Sequence, residues 1–359
     1  YRRQRQMCIR DSLCIARFTK FKYVFLTGHH SLFMACLMSA VLGTAGLSGM
    51  ELILVGGFLM GAWSAISPAI GQSYTSKVTD GDEIAIGHFG SLGYYLSAWV
   101  AKYVGKAEDS TEDIEIPEKW GFLRDSTLST ALTMIVFYLI AAFAAGSEFV
   151  ATLSGDMSPY LYAVMSAMNF AVGVTIVYSG VRMILGDLIP AFQGIATKII
   201  PNAIPAVDCA VFFTYAPTAV VLGFLSSFIG GIIGMLILGA VGGVLIIPGL
   251  VPHFFCGATA GIYGNATGGR RGAAVGAFLN GLAITFLPAL ALPVLGQLGF
   301  QNTTFGDADF AVMGLVLGNA YEWVGMAGIY GIVAIAALVL IVPNFIKTKG
   351  KVINYVEED

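Results

Sequence analysis

Two Gly-His pairs, Gly28-His29 and Gly87-His88, and a carboxylate at Asp208 stand in stretches whose other residues suit lipid. Ionisable groups are costly to hold at membrane depth, and they mark substrate or ion pathways. An imidazole can both donate and accept, so two of them can hold a polyhydroxylated or enediol anion from opposite sides. A carboxylate accepts from sugar-like hydroxyls, which gives Asp208 a complementary part. Its competing reading is a helix cap or a structural ion pair. The expected site is therefore one for a small polar solute, built on His29, His88 and Asp208.

The remaining polar residues are expected to be structural. His30 reads as an interfacial neighbour, and His253 as a group satisfying backbone beside Pro252. Glu322 sits between Tyr321 and Trp323, an aromatic pair typical of a membrane interface. Arg182 and Asp187 either pair or mark a helix end. No Ser-His-Asp or Cys-His arrangement can be assembled from local signals, and no HExxH-type motif occurs. Cys8, Cys14, Cys36, Cys209 and Cys256 show no CxxC spacing, so packing is their expected role and neither a metal nor a cofactor is expected. Glycines at spacing four, as in Gly230/Gly234 and Gly272/Gly276, speak for close helix packing, and no phosphate-binding loop is present. Nucleic acid is not an expected partner.

The elements that must position these groups follow from composition. Of 359 residues 57% are hydrophobic and 11% charged, with mean hydropathy +0.78 and 45 glycines. This predicts an all-α, polytopic transmembrane helical protein in contact with membrane lipid. Runs near the roughly 20 residues needed to span a bilayer lie at 31–50, 52–70, 127–146, 160–185, 228–251, 272–298 and 324–342. Between them, 199–224 carries Pro201, Pro205 and Pro217 around Asp208, which makes a continuous helix improbable and a broken or re-entrant segment the better expectation. A second interrupted stretch, 245–268, carries Pro248, Pro252 and His253. Such paired interruptions point to a transporter's midplane site. The net charge of -3 hides a polar loop around 101–126, within a stretch where Lys77, Lys102, Lys106, Lys119 and Arg124 accompany ten acids. With the Lys347, Lys349, Lys351 tail, it is expected on the cytoplasmic side, either as a solvated loop or as a docking surface. Residues 1–17 read as a non-native leader, since 1–12 lack the apolar core of a signal peptide.

Several long strings in order resemble one family. SGVRMILGDLIPAFQGIATKIIPNAIPAVDCAVFFTYAPTAVVLGF, ending at Phe224, is similar to the ascorbate-specific membrane component, enzyme IIC, of the bacterial phosphotransferase system. So are LTGHHSLF (26–33), VTDGDEIAIGH (78–88), the acidic loop GKAEDSTEDIEIPEKWGFLRDSTLSTA and LIIPGLVPHFFCGATAGIYGNATGGRRGA. The resemblance implies a homodimeric, elevator-type permease of the bacterial inner membrane, of which 18–359 is a partial domain lacking roughly the family's first quarter. It implies inward movement of L-ascorbate or a related sugar acid, phosphorylated by a cytosolic IIB partner that is itself charged through IIA. The permease would have no phosphoryl-accepting residue of its own. Family substrate positions map to His29, His88 and Asp208. Where the family's ascorbate transporters carry glutamines, this chain has Phe33 and Phe89, and Thr218 follows Pro217 where asparagine is usual. Those differences widen the expected substrate to other sugar acids or polyols. The alternative from the residues alone is a proton- or ion-coupled secondary transporter.

Overall fold

A computed structural model describes residues 12–81, 83–114, 126–296 and 305–345, with backbone alone at 126, 178, 181–182, 184–191, 193, 195–197 and 296. The paired reading of Arg182 and Asp187, the Lys347–Lys351 tail, most of the leader and the centre of the acidic loop lie outside that description. The chain divides into a unit of Tyr1–Thr111 with Ile189–Asp359 and a unit of Glu112–Leu188.

The first unit opens with a short helix, α1, over 12–18, and strand β1, Tyr23–Phe25. Part of the expected leader is thus folded: Ile15 and Ala16 are buried in apolar clusters. Helices α2 (Gly28–Thr44) and α3 (Gly49–Val78) follow, then strand β2 (Ala85–Ile86) and α4 (Ser91–Val104). The second unit holds α5 (Ser126–Ala145), α6 (Ser147–Ser154) and most of α7 (Pro159–Lys198). It closes on Ala142, Val150 and Ala163 and exposes Val136, Ile140, Phe143, Val172 and Ile176, as lipid-facing helices do. The chain then re-enters the first unit through strand β3 (Ile204–Val207) and one turn of helix, α8 (Cys209–Phe212). Helices α9 (Pro217–Ala240), α10 (Leu250–Gly296), α11 (Ala308–Val324) and α12 (Met326–Phe345) complete it.

Among the described residues the all-α expectation holds apart from three short strands. These form one parallel sheet in the order β1-β3-β2. Tyr23, Val24 and Phe25 stand opposite Ile204, Pro205 and Ala206, while Ala85 and Ile86 stand opposite Ala206 and Val207. Alanines 62, 65 and 69 of α3 let the sheet lie close against that helix, in a cluster with Tyr23, Ala85, Ile204 and Ala206. Buried backbone must find partners, and in lipid no water supplies them. Within the interrupted segment 199–224, Ile204–Val207 satisfies this by becoming the central strand.

Six of the described helices are long and apolar enough to cross a membrane: Gly49–Val78, Thr127–Ala145, Pro159–Val177, Pro217–Ala240, Leu250–Leu295 and Met326–Phe345. The expected span at 228–251 begins earlier, at Pro217, whose missing N–H costs nothing in the first turn of a helix. The second expected interruption, 245–268, is seen at both ends of that stretch: Pro248 lies in the non-helical residues 243–249, Pro252 lies in the first turn of α10, and the helix breaks at Gly268 and Gly269. Gly269 has φ +58°, and a Cβ there would overlap the carbonyl oxygens of Lys106 and Asp109. The start of the polar loop is seated on this kink: Asn265 Oδ1 accepts from the Thr111 amide at 2.8 Å, and the Arg270 amide donates to the Asp109 carbonyl at 2.8 Å.

Gly87 tests the sheet. Its amide donates to the Val207 carbonyl at 2.7 Å, and a Cβ would overlap the backbone of Ala206. Gly87→Ala is expected to lower stability by roughly 1–3 kcal/mol, the range for overpacking a close contact. Gly43→Ala, on a helix with open space around the new methyl, is expected to be neutral or stabilising by up to about 1 kcal/mol. Thermal unfolding of the two variants in detergent checks the contrast.

Candidate functional site

Each strand of the sheet runs into the N-terminus of a helix within a few residues: β1 into α2, β2 into α4, β3 into α8. Because all three are parallel and in register, the connecting residues emerge at one edge. Those residues are Gly28-His29-His30, Gly87-His88 and Asp208. Positions separated by up to 180 residues thereby become neighbours.

The three residues singled out for a solute do meet. His29 Nε2 lies 3.5 Å from Asp208 Oδ2, with side-chain exposures of 60% and 27%. His88 reaches them through His30, whose ring centroid lies 3.8 Å from that of His88 and 4.6 Å from that of His29. One ligand-type atom from each of His88, Asp208 and Cys209 also falls within 4.8 Å of the others. His88 is held by the Tyr94 hydroxyl at 2.8 Å and the Gly90 amide at 3.2 Å, both at Nδ1. Asp208 serves in addition as the helix cap that was its competing reading: Oδ1 accepts from the Ala210 amide at 3.1 Å. Capping uses one carboxylate oxygen, and the other faces His29.

The other candidates are placed differently. Phe89 is fully buried, stacked on Phe25 with centroids 4.6 Å apart and edge-on to His30, so it forms the apolar wall behind the histidines. Phe33 stands one turn after His29 on the same face of α2 and is 51% exposed. Thr218 is half-buried in the first turn of α9. His253 bonds the backbone of Ser227, as expected, and lies 2.9 Å from the Ser227 hydroxyl as well. Glu322 is exposed beside Tyr321 and Trp323.

Sequence reasoning missed four members. His30, read there as an interfacial neighbour, is 4% exposed and sits between His29 and His88. Asp307 lies across from it, with Oδ2 3.6 Å from His30 Nδ1, and accepts from the Cys256 thiol at 2.9 Å through Oδ1. Cys256 therefore does more than pack. Asp309 is fully buried and accepts from the Trp63 indole at 3.1 Å, the Ser91 hydroxyl at 2.8 Å and the Leu92 amide at 3.0 Å. It caps α4 from a neighbouring helix. The available signal is the pair Asp307 and Asp309 at the head of the apolar run that starts at Phe310.

The site is thus a paired set of imidazoles and carboxylates at broken-helix ends, the kind of place where transporters seat a polar solute. Comparison with known families matches residues 8–309 to the PTS system sugar-specific permease component. The chain belongs to that family. The chain is also similar to the ascorbate-specific PTS system EIIC component of Mycoplasma pneumoniae, with 27% identity over 294 residues. The match covers 70% of this chain and 44% of that protein, so the chain spans less than half of the relative's length. Family and apolar helices together make the chain part of a multi-pass integral membrane protein, which in bacteria means the inner membrane.

Asp309 offers a direct test of how the permease site is held. Asp309→Ala leaves three donors, Ser91 buried and Trp63 and Leu92 part-buried, without their acceptor, and each buried unpaired group costs about 1–3 kcal/mol, with non-additive sums. Asp309→Asn keeps one carbonyl oxygen and should fall between alanine and the native residue. The order of thermal unfolding midpoints in detergent is the check.

Proposed function

We propose that this chain forms the substrate-carrying part of a phosphotransferase-system permease that moves L-ascorbate or a related sugar acid inward. The carrying observation is the meeting of His29, His88 and Asp208 at the edge of the parallel sheet. Imidazoles donate to the enediol or carboxylate oxygens of such a solute, and Asp208 accepts from its hydroxyls. The N-terminal ends of α2 and α11 approach the same cluster through His30 and Asp307, and helix N-termini favour negative charge. The ascorbate specificity in the name of the Mycoplasma relative supports ascorbate as the leading substrate. Phe33 and Thr218 would border the solute, and Phe89 would back the histidines rather than bond it. Phosphate would come from a cytosolic IIB partner supplied by IIA, with the polar loop and the lysine tail on that side of the membrane. The assembly would be a homodimer whose core moves as an elevator.

The test uses membrane vesicles carrying the permease, loaded with the soluble phosphotransferase proteins and phosphoenolpyruvate, and given labelled ascorbate outside. Label is expected inside as the phosphate ester. Asp208→Asn and His88→Ala are each expected to reduce this to background. Unmodified ascorbate that accumulates and is released by an uncoupler would replace the proposal with ion-coupled transport. Uptake that survives both substitutions would remove the site assignment.

A further inference from the structure

The chain leaves strand β2 through Gly87, His88, Phe89 and Gly90 before α4 begins at Ser91. Two successive amides of this turn point at imidazoles. The Phe89 amide donates to His30 Nδ1 at 3.4 Å, and the Gly90 amide donates to His88 Nδ1 at 3.2 Å. A neutral imidazole carries one proton, so a nitrogen that accepts leaves the other as the N–H donor. Both rings therefore present Nε2–H, and their centroids are 3.8 Å apart. Ring nitrogens of His88 lie within 4.8 Å of carboxylate oxygens of Asp208 and of Asp307, which places this donor beside the acceptors of the cluster.

Amide bonds of that length are weak anchors, and His88 has a second, shorter one. The Tyr94 hydroxyl lies 2.8 Å from Nδ1. Since the Gly90 N–H already points at that nitrogen, the hydroxyl is the donor. It also touches the Cys256 thiol, whose own proton goes to Asp307, but sulfur is a weak acceptor beside an imidazole nitrogen. Helical side chains lean toward the N-terminus of their helix, which is how Tyr94 reaches a residue six positions earlier. Its ring is fully buried and backed by Tyr263, with centroids 5.8 Å apart. Gly90 leaves the space for the contact: a Cβ there would crowd both the Tyr94 hydroxyl and His88 Nδ1.

We propose that Tyr94 is a positioning residue of the solute site: its hydroxyl fixes His88 in the Nε2–H tautomer and holds that N–H ready for an acceptor oxygen of the solute. The role rests on His88 binding the carried solute. A donor oriented in advance spares the cost of ordering it at binding, so the hydroxyl acts on affinity through the imidazole. Tyr95, next in the chain, supplies the contrast. Its hydroxyl is buried as well, but it donates to the Ser67 carbonyl of α3 at 2.8 Å.

The experiment joins 15N NMR of histidine-labelled permease, at alkaline pH where imidazoles are neutral, to equilibrium binding of labelled ascorbate by the same protein. The His88 signals are assigned by their loss in His88→Gln. In the native chain Nε2 is expected to carry the proton and Nδ1 to be the bonded acceptor. Tyr94→Phe is expected to move the Nδ1 signal and to weaken ascorbate binding roughly three- to tenfold, the worth of one hydrogen bond. Gly90→Ala, which displaces the same contact, should act in the same direction, and Tyr95→Phe should change neither readout. A proton on Nδ1 in the native chain overturns the proposal without any variant having to fold. So does Tyr94→Phe if the Nδ1 signal stays in place, or if the signal moves while affinity is kept. Should the native chain bind no ascorbate, the choice of solute fails, and the Nδ1 signal by itself decides whether Tyr94 orients His88.

Discussion

Strand β3 lies between β1 and β2, and that central position is what the rest of the first unit depends on. Its amides and carbonyls are used on both sides: Ile204 donates to the Lys22 carbonyl, while the Ala206 and Val207 carbonyls accept from Leu26 and Gly87. A strand of four residues has little stability of its own. Pairing on two edges and packing on the alanines of α3 make it the seam that joins three remote parts of the chain. Once the three strands run parallel, the direction in which each chain leaves the sheet is no longer free. Two Gly-His turns and an Asp turn must arrive at one edge.

The second support comes from α11. Its two acids, two residues apart, have divided their work by environment. Asp309 points into a fully enclosed position and accepts three donors from α3 and α4, which ties the start of α4, and so the His88 turn, to the start of α11. Asp307 keeps one oxygen on the Cys256 thiol and turns the other toward His30. Phe25, Phe89 and Phe310 surround the histidines with apolar rings, and Phe310 lies nearly parallel to His30 with centroids 5.7 Å apart. A polar cluster framed by such a wall has few ways to rearrange, because each ring shift opens a void in the core. The site is consequently stiff where it is buried and open only on the side of His29 and Asp208.

Helix breaks serve two ends in this protein. At 199–224 the break supplies both a strand for the sheet and a capped turn that aims Asp208. At Gly268 and Gly269 it makes a seat for the loop beginning at Gly105, whose carbonyls occupy the space that side chains would fill. In lipid, freed backbone groups survive only with such partners. Both breaks are thus closed by named contacts.

Residue type along the chain was sufficient to place this protein in a membrane and to mark His29, His88 and Asp208, since the cost of polarity in an apolar stretch is a local property. Proline chemistry likewise announced the break around Asp208, though it did not show that the break would hold a strand: Ile204–Val207 reads as one more apolar run until β1 and β2 pair with it. At Pro248 the same signal held, since residues 243–249 are non-helical, whereas Pro252, in the first turn of α10, interrupts nothing. His30, Asp307 and Cys256 looked ordinary because their meaning lies in partners more than 50 residues away. Spacing rules for metal and catalytic motifs work when ligands share one helix or loop. Here the side chains come from the ends of separate strands and helices, and hydrogen-bonded register across the sheet, with the start of α11, brought them within a few ångströms.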